Sequence, residues 1–376
     1  MKRSIAAAIV LAASPAWAGG IPYTPATDVP DYVATMTTEQ TWGKPAGPQR
    51  RVVTHHRGWV RVEEPQAITY GNPARDISIV IRPHPQASYA SVMIDRSVAT
   101  SRNRVRDAVT TGQSEAVAGE RCDVWQVRRL DSVDAKGEPK WLSCLTADGI
   151  EIGSKVLDSG GAPMQQSTLV GLDRRSVSAG EVTPPAYMFD AAQWLTFNEE
   201  AAPGTAAAES PDYVLHLRSP DAARTVRHHG AWTYDEKTYD DGRRDLAIWN
   251  GKTGQELYFH AAEGGAFERL LLHQKYLTGE RIFFRFGPRG TPKGIGKTGS
   301  VRGEPCEWFD MTPNVADAFL NHCLAADGVP LKIKSGGMLS GGEEFVADEV
   351  QRRDLRPEEL LPPADVLTRA NWDIPG

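Results

Sequence analysis

A mainly-β or α+β fold in two tandem halves is what this sequence predicts. Three observations carry the expectation: an ordered internal repeat, apolar residues that alternate with a period of two, and two pairs of cysteines that recur with the repeat.

The chain opens with an export signal. Lys2 and Arg3 precede an apolar run from Ile5 to Ala13, and Ala16-Trp17-Ala18 supplies the small-x-small pattern of a cleavage site. Residues 1–18 are therefore read as a signal peptide cleaved near Ala18, which predicts a periplasmic or secreted protein. The run is shorter than the roughly 20 residues of a membrane-spanning helix, and no later segment is apolar enough to span, so no integral membrane segment is expected. Removing Lys2 and Arg3 from the 42 basic residues leaves 40 against 48 acidic ones, a formal charge of −8. That balance, without any dense Lys/Arg block, argues against a nucleic-acid partner. The remaining length exceeds what one core usually supports, so two domains are expected.

The repeat is ordered along the chain. Pro30-Asp31-Tyr32-Val33 returns as Pro211-Asp212-Tyr213-Val214, and His55–Trp59 (HHRGW) as His228–Trp232 (HHGAW). Arg75-Asp76-Ile77 is matched by Arg244-Asp245-Leu246. Gly112, Val117, Gly119, Glu120 and Cys122 match Gly296, Val301, Gly303, Glu304 and Cys306 at one constant offset. Cys-Leu-x-Ala-Asp-Gly at Cys144 recurs at Cys323; Ser159-Gly160-Gly161, Arg174-Arg175, Pro184-Pro185 and Trp194 recur as Ser335-Gly336-Gly337, Arg352-Arg353, Pro362-Pro363 and Trp372. The expected organisation is a first repeat domain over 19–198, an Ala/Pro/Gly/Ser-rich linker over 199–210 and a second repeat domain over 211–376.

Within each half, alternation points to strands. Tyr213, Leu215 and Leu217 share one face while His216 and Arg218 share the other, and Leu331–Lys334 alternates likewise. ISIVIRP (77–83) and RIFFRFG (281–287) are further strand candidates bounded by Gly or Pro. Helical windows are few: PPAYMFDAAQW (184–194) begins with prolines suited to a first turn, and GAFERLLLHQKYL (265–277) fits a helix or a buried strand. An antiparallel sheet with one or two packed helices per half follows.

Four cysteines in an exported chain allow three connectivities. The repeat selects the pairing within each half, Cys122 with Cys144 and Cys306 with Cys323, because a unit that folds alone closes its own bridge. Each cysteine sits in a probable strand, so the partners can face each other across neighbouring strands. Structural disulfides are expected rather than a thiol catalyst or metal site, since there is no Cys-x-x-Cys and the pairs lie far apart for a compact zinc hook. Asp148-Gly149 and Asp327-Gly328 supply turns after each pair.

No motif marks catalysis. His55-His56 and His228-His229 are adjacent residues of probable strands, so their rings point to opposite faces and cannot share one ion without a bulge. GIGKTGS (294–300) lacks the spacing of a phosphate loop and reads as a glycine-rich hairpin; no Gly-x-Ser-x-Gly occurs. No catalytic residue, metal ligand or cofactor is assigned, and an enzyme is not expected. The recurring tryptophans Trp59, Trp194, Trp232 and Trp372 are either core residues or the lining of an apolar cavity.

The run Val-x-Gly-Glu-x-Cys, then Cys-Leu-x-Ala-Asp-Gly, an alternating strand, Arg-Arg and a Pro-Pro-led end resembles the carboxy-terminal part of exported bacterial proteins of the outer-membrane lipoprotein carrier (LolA/LolB-like) superfamily. The resemblance touches about a third of each half. It implies a curved, unclosed antiparallel barrel covered by helices, with an apolar cavity for acyl chains. The chain departs from that pattern in having two such units, and neither the helical lid nor the functional arginine of the carriers can be placed, so no binding residue is carried over. The expectation is a periplasmic binding or carrier module for a lipid or a lipidated protein. The alternative is a non-catalytic structural or interaction component with an envelope protein as partner.

Overall fold

The computed structural model describes residues 29–41, 47–65, 67–83, 90–96, 105–129, 140–195, 197, 210–251, 255–273, 293–311, 318–337 and 341–374. The signal-peptide reading, nearly all of the linker and the RIFFRFG strand candidate lie outside these residues.

The described residues form one antiparallel sheet of 22 strands. The first half supplies β1 (Tyr32–Gln40), β2 (Gln49–His56), β3 (Trp59–Glu64), β4 (Ala67–Asn72), β5 (Ile77–Pro83), β6 (Ala90–Asp95), β7 (Val105–Val117), β8 (Glu120–Arg129), β9 (Lys140–Leu145), β10 (Glu151–Leu157) and β11 (Pro163–Asp173). The second supplies β12 (Tyr213–Arg218), β13 (Ala222–His229), β14 (Trp232–Tyr239), β15 (Arg244–Asn250), β16 (Glu256–Ala261), β17 (Phe267–His273), β18 (Lys293–Val301), β19 (Glu304–Asp310), β20 (Ala318–Leu324), β21 (Pro330–Gly337) and β22 (Gly341–Arg352).

In the first half β7 to β11 pair in succession, β11 pairs with β1, and β1 to β6 follow in succession. The second half runs in the same order, from β18 through β22 to β12 and on to β17. Strands β6 and β17 then pair with each other, Met93 opposite Leu271, and fuse the halves into one sheet. Among the described residues β7 and β18 each pair on one side only, so the sheet is unclosed.

Register corrects one sequence match. Val60 pairs with Gly71 and Thr233 with Trp249, which makes β4 the counterpart of β15. Arg75-Asp76-Ile77 leads into β5, whereas Arg244–Leu246 opens β15, so that tripeptide match is coincidental. Likewise GIGKTGS is not a hairpin turn. It runs along edge strand β18, where Gly296 at φ +69° sits in a bulge, as Gly112 at φ +72° does in β7. The hairpin turns proper are Ala118-Gly119 and Arg302-Gly303, all four at positive φ as a two-residue turn of the primed type requires. The GAFERLLLH window is strand β17, and the proline-led window forms a 3-10 turn over Ala186–Phe189 and helix α2 (Ala191–Trp194), after the short α1 (Ala179–Val182).

The sheet buries opposite faces in different places. At its flanks one face closes around each disulfide: Tyr32, Ala34, Met36, Val53, Cys122 and Cys144 in the first half, and Tyr213, Leu215, Leu217, Val226, Cys306 and Cys323 in the second. Across the middle the other face packs against two straps, residues 174–195 with Phe197, and residues 352–374. Ile77, Ile79, Ile81, Val92 and Ile94 of β5 and β6 join Leu246, Ile248, Leu257, Phe259, Leu270 and Leu272 of β15 to β17 in one core, closed by Val182, Met188, Leu360 and Val366 of the straps. The second strap also grips the first half. Arg75 donates to Asp373 O at 2.9 Å, Arg96 pairs with the Asp373 carboxylate, and Arg369 donates to Pro184 O at 3.0 Å.

Candidate functional site

Most repeated phrases resolve into latches that hold each strap to its sheet. The Asp31 carboxylate accepts from the Val177 amide at 3.0 Å and from His56 Nδ1 at 2.9 Å. In the second half Asp212 accepts from the Leu355 amide at 3.0 Å and from His229 Nδ1 at 2.6 Å. Burial works against both carboxylates, yet these donors outweigh it and hold both carboxyls below their ordinary range. The neighbouring histidines turn to the opposite face, as alternation requires. His55 stacks on Tyr32 and His228 on Tyr213, each with ring centroids 5.3 Å apart, and burial lowers the pKa of both rings.

The Arg-Arg repeat does two jobs in each half. Arg174 bonds Glu120 at 2.9 Å and Asp148 at 2.7 Å, which ties the hairpin turn to the Asp-Gly turn behind the disulfide. Arg352 holds Glu304 and Asp327 in the same way. The next arginine pairs with a capping glutamate of the strap, Arg175 with Glu181 at 2.8 Å and Arg353 with Glu359 at 2.6 Å. Both disulfides form within their halves, Cys122–Cys144 and Cys306–Cys323, each with Cα atoms 5.3 Å apart.

The four recurring tryptophans come together. Trp59, Trp194, Trp232 and Trp372 are all buried in the central core, where Phe197 of the first strap packs on Trp232 of the second half at 4.7 Å between centroids. Trp194 and Trp372 donate their indole N–H to Tyr187 O and Val366 O. They fill volume between sheet and straps.

Two cavities stand out. The smaller, about 50 Å³, lies beside Cys144 against Val117, Val124, Leu142 and Gly153, with the Lys155–Glu115 ion pair at its side. It has room for a few waters. The counterparts of Val124 and Gly153 by strand pairing are Trp308 and Lys332, larger side chains at the same places. The larger, about 460 Å³, is an open groove between β12, β22 and the second strap, lined by His216, Arg227, Gln351, Arg353, Glu358 and Leu361 among others. Arg227 lies 4.4 Å over the Tyr234 ring and donates to Glu359 O at 2.7 Å, while Leu361 is 37 % exposed. Opposite His216, Arg227, Glu358 and Leu361 the first half carries Thr35, Thr54, Gly180 and Thr183, so the groove's character belongs to the second half alone. Arg353 belongs to the repeated Arg-Arg pair, whereas His216, Arg227, Glu358 and Leu361 carried no functional signal in the sequence because each breaks the repeat; that departure was the available clue.

The second half also buries an ion pair between its own strands β13 and β14. Arg224 and Asp235, 9 % and 14 % exposed, form a two-point ion pair at 2.6 and 2.8 Å, and Lys237 bonds Glu343 at 2.9 Å beside the Phe345 ring. Among the described residues no group of three or more His, Cys, Asp or Glu is placed to hold a metal ion, and no helix is long and apolar enough to cross a membrane.

No protein-family model and no curated protein sequence matches the chain. Solved structures similar to it include a crystal structure of MucB (11% identity, TM-score 0.29, covering 66% of this chain and 88% of that one). A Pseudomonas aeruginosa MucA/MucB complex is similar at 12% identity and TM-score 0.26, over 67% and 90% of the two chains. A domain from Vibrio parahaemolyticus described as of outer-membrane lipoprotein-sorting type is similar at 10% identity and TM-score 0.17, over 67% and 87%. Likeness at this level leaves function to rest on the geometry above.

Proposed function

We propose that this chain is an exported, non-catalytic interaction module of the cell envelope that binds a polypeptide segment in the groove beside the second strap. The observation that carries the reading is the destination of the tryptophans: side chains that could have lined an acyl cavity lie in the core, while the larger of the two openings described above is an exposed groove of mixed polarity. Guanidinium, imidazole, carboxylate and one exposed leucine suit a peptide with polar groups and an apolar anchor better than a hydrocarbon chain. Two disulfides fit an oxidising compartment, periplasmic or extracellular. The same proposal takes 19–198 and 211–376 as repeat units of which the second carries recognition. Carriage of a lipid or lipidated protein is the second reading, and it requires an enclosed apolar cavity of several hundred Å³.

Native mass spectrometry of the protein taken from its own periplasm, followed by organic extraction, separates the two. The expected result is a lipid-free mass, together with a photo-crosslinker at His216 that joins one polypeptide and a crosslinker at Thr35 that does not. Stoichiometric lipid in the extract would overturn the proposal in favour of the carrier.

A further inference from the structure

The seam between β6 and β17 carries two rows of side chains related by the repeat. Pairing makes Asp95 the counterpart of His273, Ser91 that of Arg269, Ser78 that of Glu256 and Arg82 that of His260. One row therefore reads Ser78, Asp95, Arg269, His260, and the other reads Glu256, His273, Ser91, Arg82, each residue opposite the next on adjacent strands and so on one face of the sheet. The rows lie about 13 Å apart along the strands. Met93 and Leu271 stand between them.

The first row is saturated. Asp95, 3 % exposed at its side chain, takes Arg269 across the seam at 3.1 Å, and His260 bonds Asp245 at 2.8 Å. Each cation in it faces a carboxylate of the chain. The second row lacks that arrangement because His273 stands where the first row has Asp95. His273 is 6 % exposed and neither ring nitrogen has a hydrogen-bond partner; Glu256 is 5 % exposed and its Oε1 has none. Ser91 is 9 % exposed, and Arg82, exposed at the end of the row, forms no ion pair among the described residues. Leaving three polar atoms buried and unmatched is costly, about 1–3 kcal/mol each. Such groups call for a partner that is not part of the described chain.

The residue types narrow its chemistry. Ser, His and Glu in a row suggest a hydrolytic triad, but a triad needs the imidazole hydrogen-bonded on both sides, and here neither nitrogen is bonded. Two metal-ligating side chains are too few for a closed cation site. Burial pushes the Glu256 carboxyl up to about 8 and, with Arg82 nearby, the His273 ring down to about 4. Near neutral pH the row then offers a guanidinium, a hydroxyl, an imidazole N–H and a carboxylic O–H, all able to donate.

We propose that Arg82, Ser91 and His273, backed by Glu256, form a binding site for a small oxyanion, a carboxylate or phosphate group, which occupies the role that Asp95 plays in the companion row. Arg82 supplies the charge and Ser91 and His273 the directed donors, while Glu256 stands opposite His273 on the neighbouring strand. The site lies on the seam, away from the groove residues, and does not depend on the function proposed above.

The test uses the full chain at constant ionic strength. Binding of inorganic phosphate, of acetate, and of vesicles with or without phosphatidylglycerol is followed by calorimetry and by the thermal midpoint. Saturable one-site binding is expected, weakened roughly tenfold or more in Arg82→Gln, whose exposed site leaves the fold intact, and in His273→Asn. Response to the free anions identifies a small solute as the ligand, and response to phosphatidylglycerol vesicles alone identifies a lipid headgroup; either supports the site. No saturable binding of any probe, or binding indifferent to Arg82→Gln, overturns it. So does a ¹⁵N histidine spectrum of the unliganded protein in which His273 is already protonated by a direct bond to Glu256.

Discussion

Asp31 and Asp212 show how a single residue can organise a half. Each carboxylate gathers one strap amide and one strand histidine, so replacing Asp212 by Asn removes the charge while keeping the shape. The variant is expected to lose about 1–3 kcal/mol and to speed amide exchange at Leu355 more than at Val177. The same carboxyls make stability depend on pH. Their folded pKa values lie below the unfolded value near 4, so their contribution is complete at neutral pH and is lost as pH falls through the folded values. His55 and His228 act in the same direction: burial holds the folded rings below about 6.5, and the unfolded chain takes up protons that the folded one excludes. Denaturation midpoints should therefore decline from about pH 6.5 downward and steeply below about 4. At this scale the repeated residues were legible in sequence as important, yet not as latches, because the amides they bind lie more than 140 positions away. His216, Arg227, Glu256 and His273 were illegible for the opposite reason: they have no counterpart of like chemistry, and only strand pairing brings them to the groove or the seam.

At the scale of elements, strands announced themselves through alternation, and the disulfides through the repeat. Each bridge joins consecutive, paired strands, β8 to β9 and β19 to β20, and ties a flank core together, so deleting one pair as Cys122→Ser/Cys144→Ser is expected to cost about 3 kcal/mol. The Cys306→Ser/Cys323→Ser variant should cost about the same, since its loop of 17 residues is only slightly shorter than the 22 of the first. Paired guanidine titrations of the two variants check this. What alternation could not supply was register. The Arg-Asp-hydrophobic match looked like part of the repeat because three residues are too short to reveal that one copy leads into the fifth strand of its half and the other opens the fourth. The glycine-rich stretch at 294–300 was misplaced for a related reason. Its glycine serves a bulge that bends an edge strand, a device that discourages pairing with other chains and leaves the same composition as a turn.

The whole molecule is less divisible than its sequence suggests. Two repeat units predict two cores, and each flank does have its own, but the central core draws on both halves and both straps. Interleaving of this kind is invisible to local pattern, since the apolar residues of β5, β6, β16 and β17 read the same whether they pack within a unit or across a seam. The ion pair between Asp95 and Arg269 tests the seam at one point. Arg269→Met removes a partner of a carboxylate that is 3 % exposed, and a loss of about 1–3 kcal/mol is expected in the melting of the intact chain.

Hydrogen exchange of the full-length protein across a guanidine series tests the shared core most directly, read in peptides covering Ile77–Ile81 and Leu246–Ile248. Both should lose protection at one common denaturant concentration, because neither half keeps a complete hydrophobic centre without the other. Loss at two separate concentrations, with one half still fully protected while its neighbour exchanges freely, would contradict this picture.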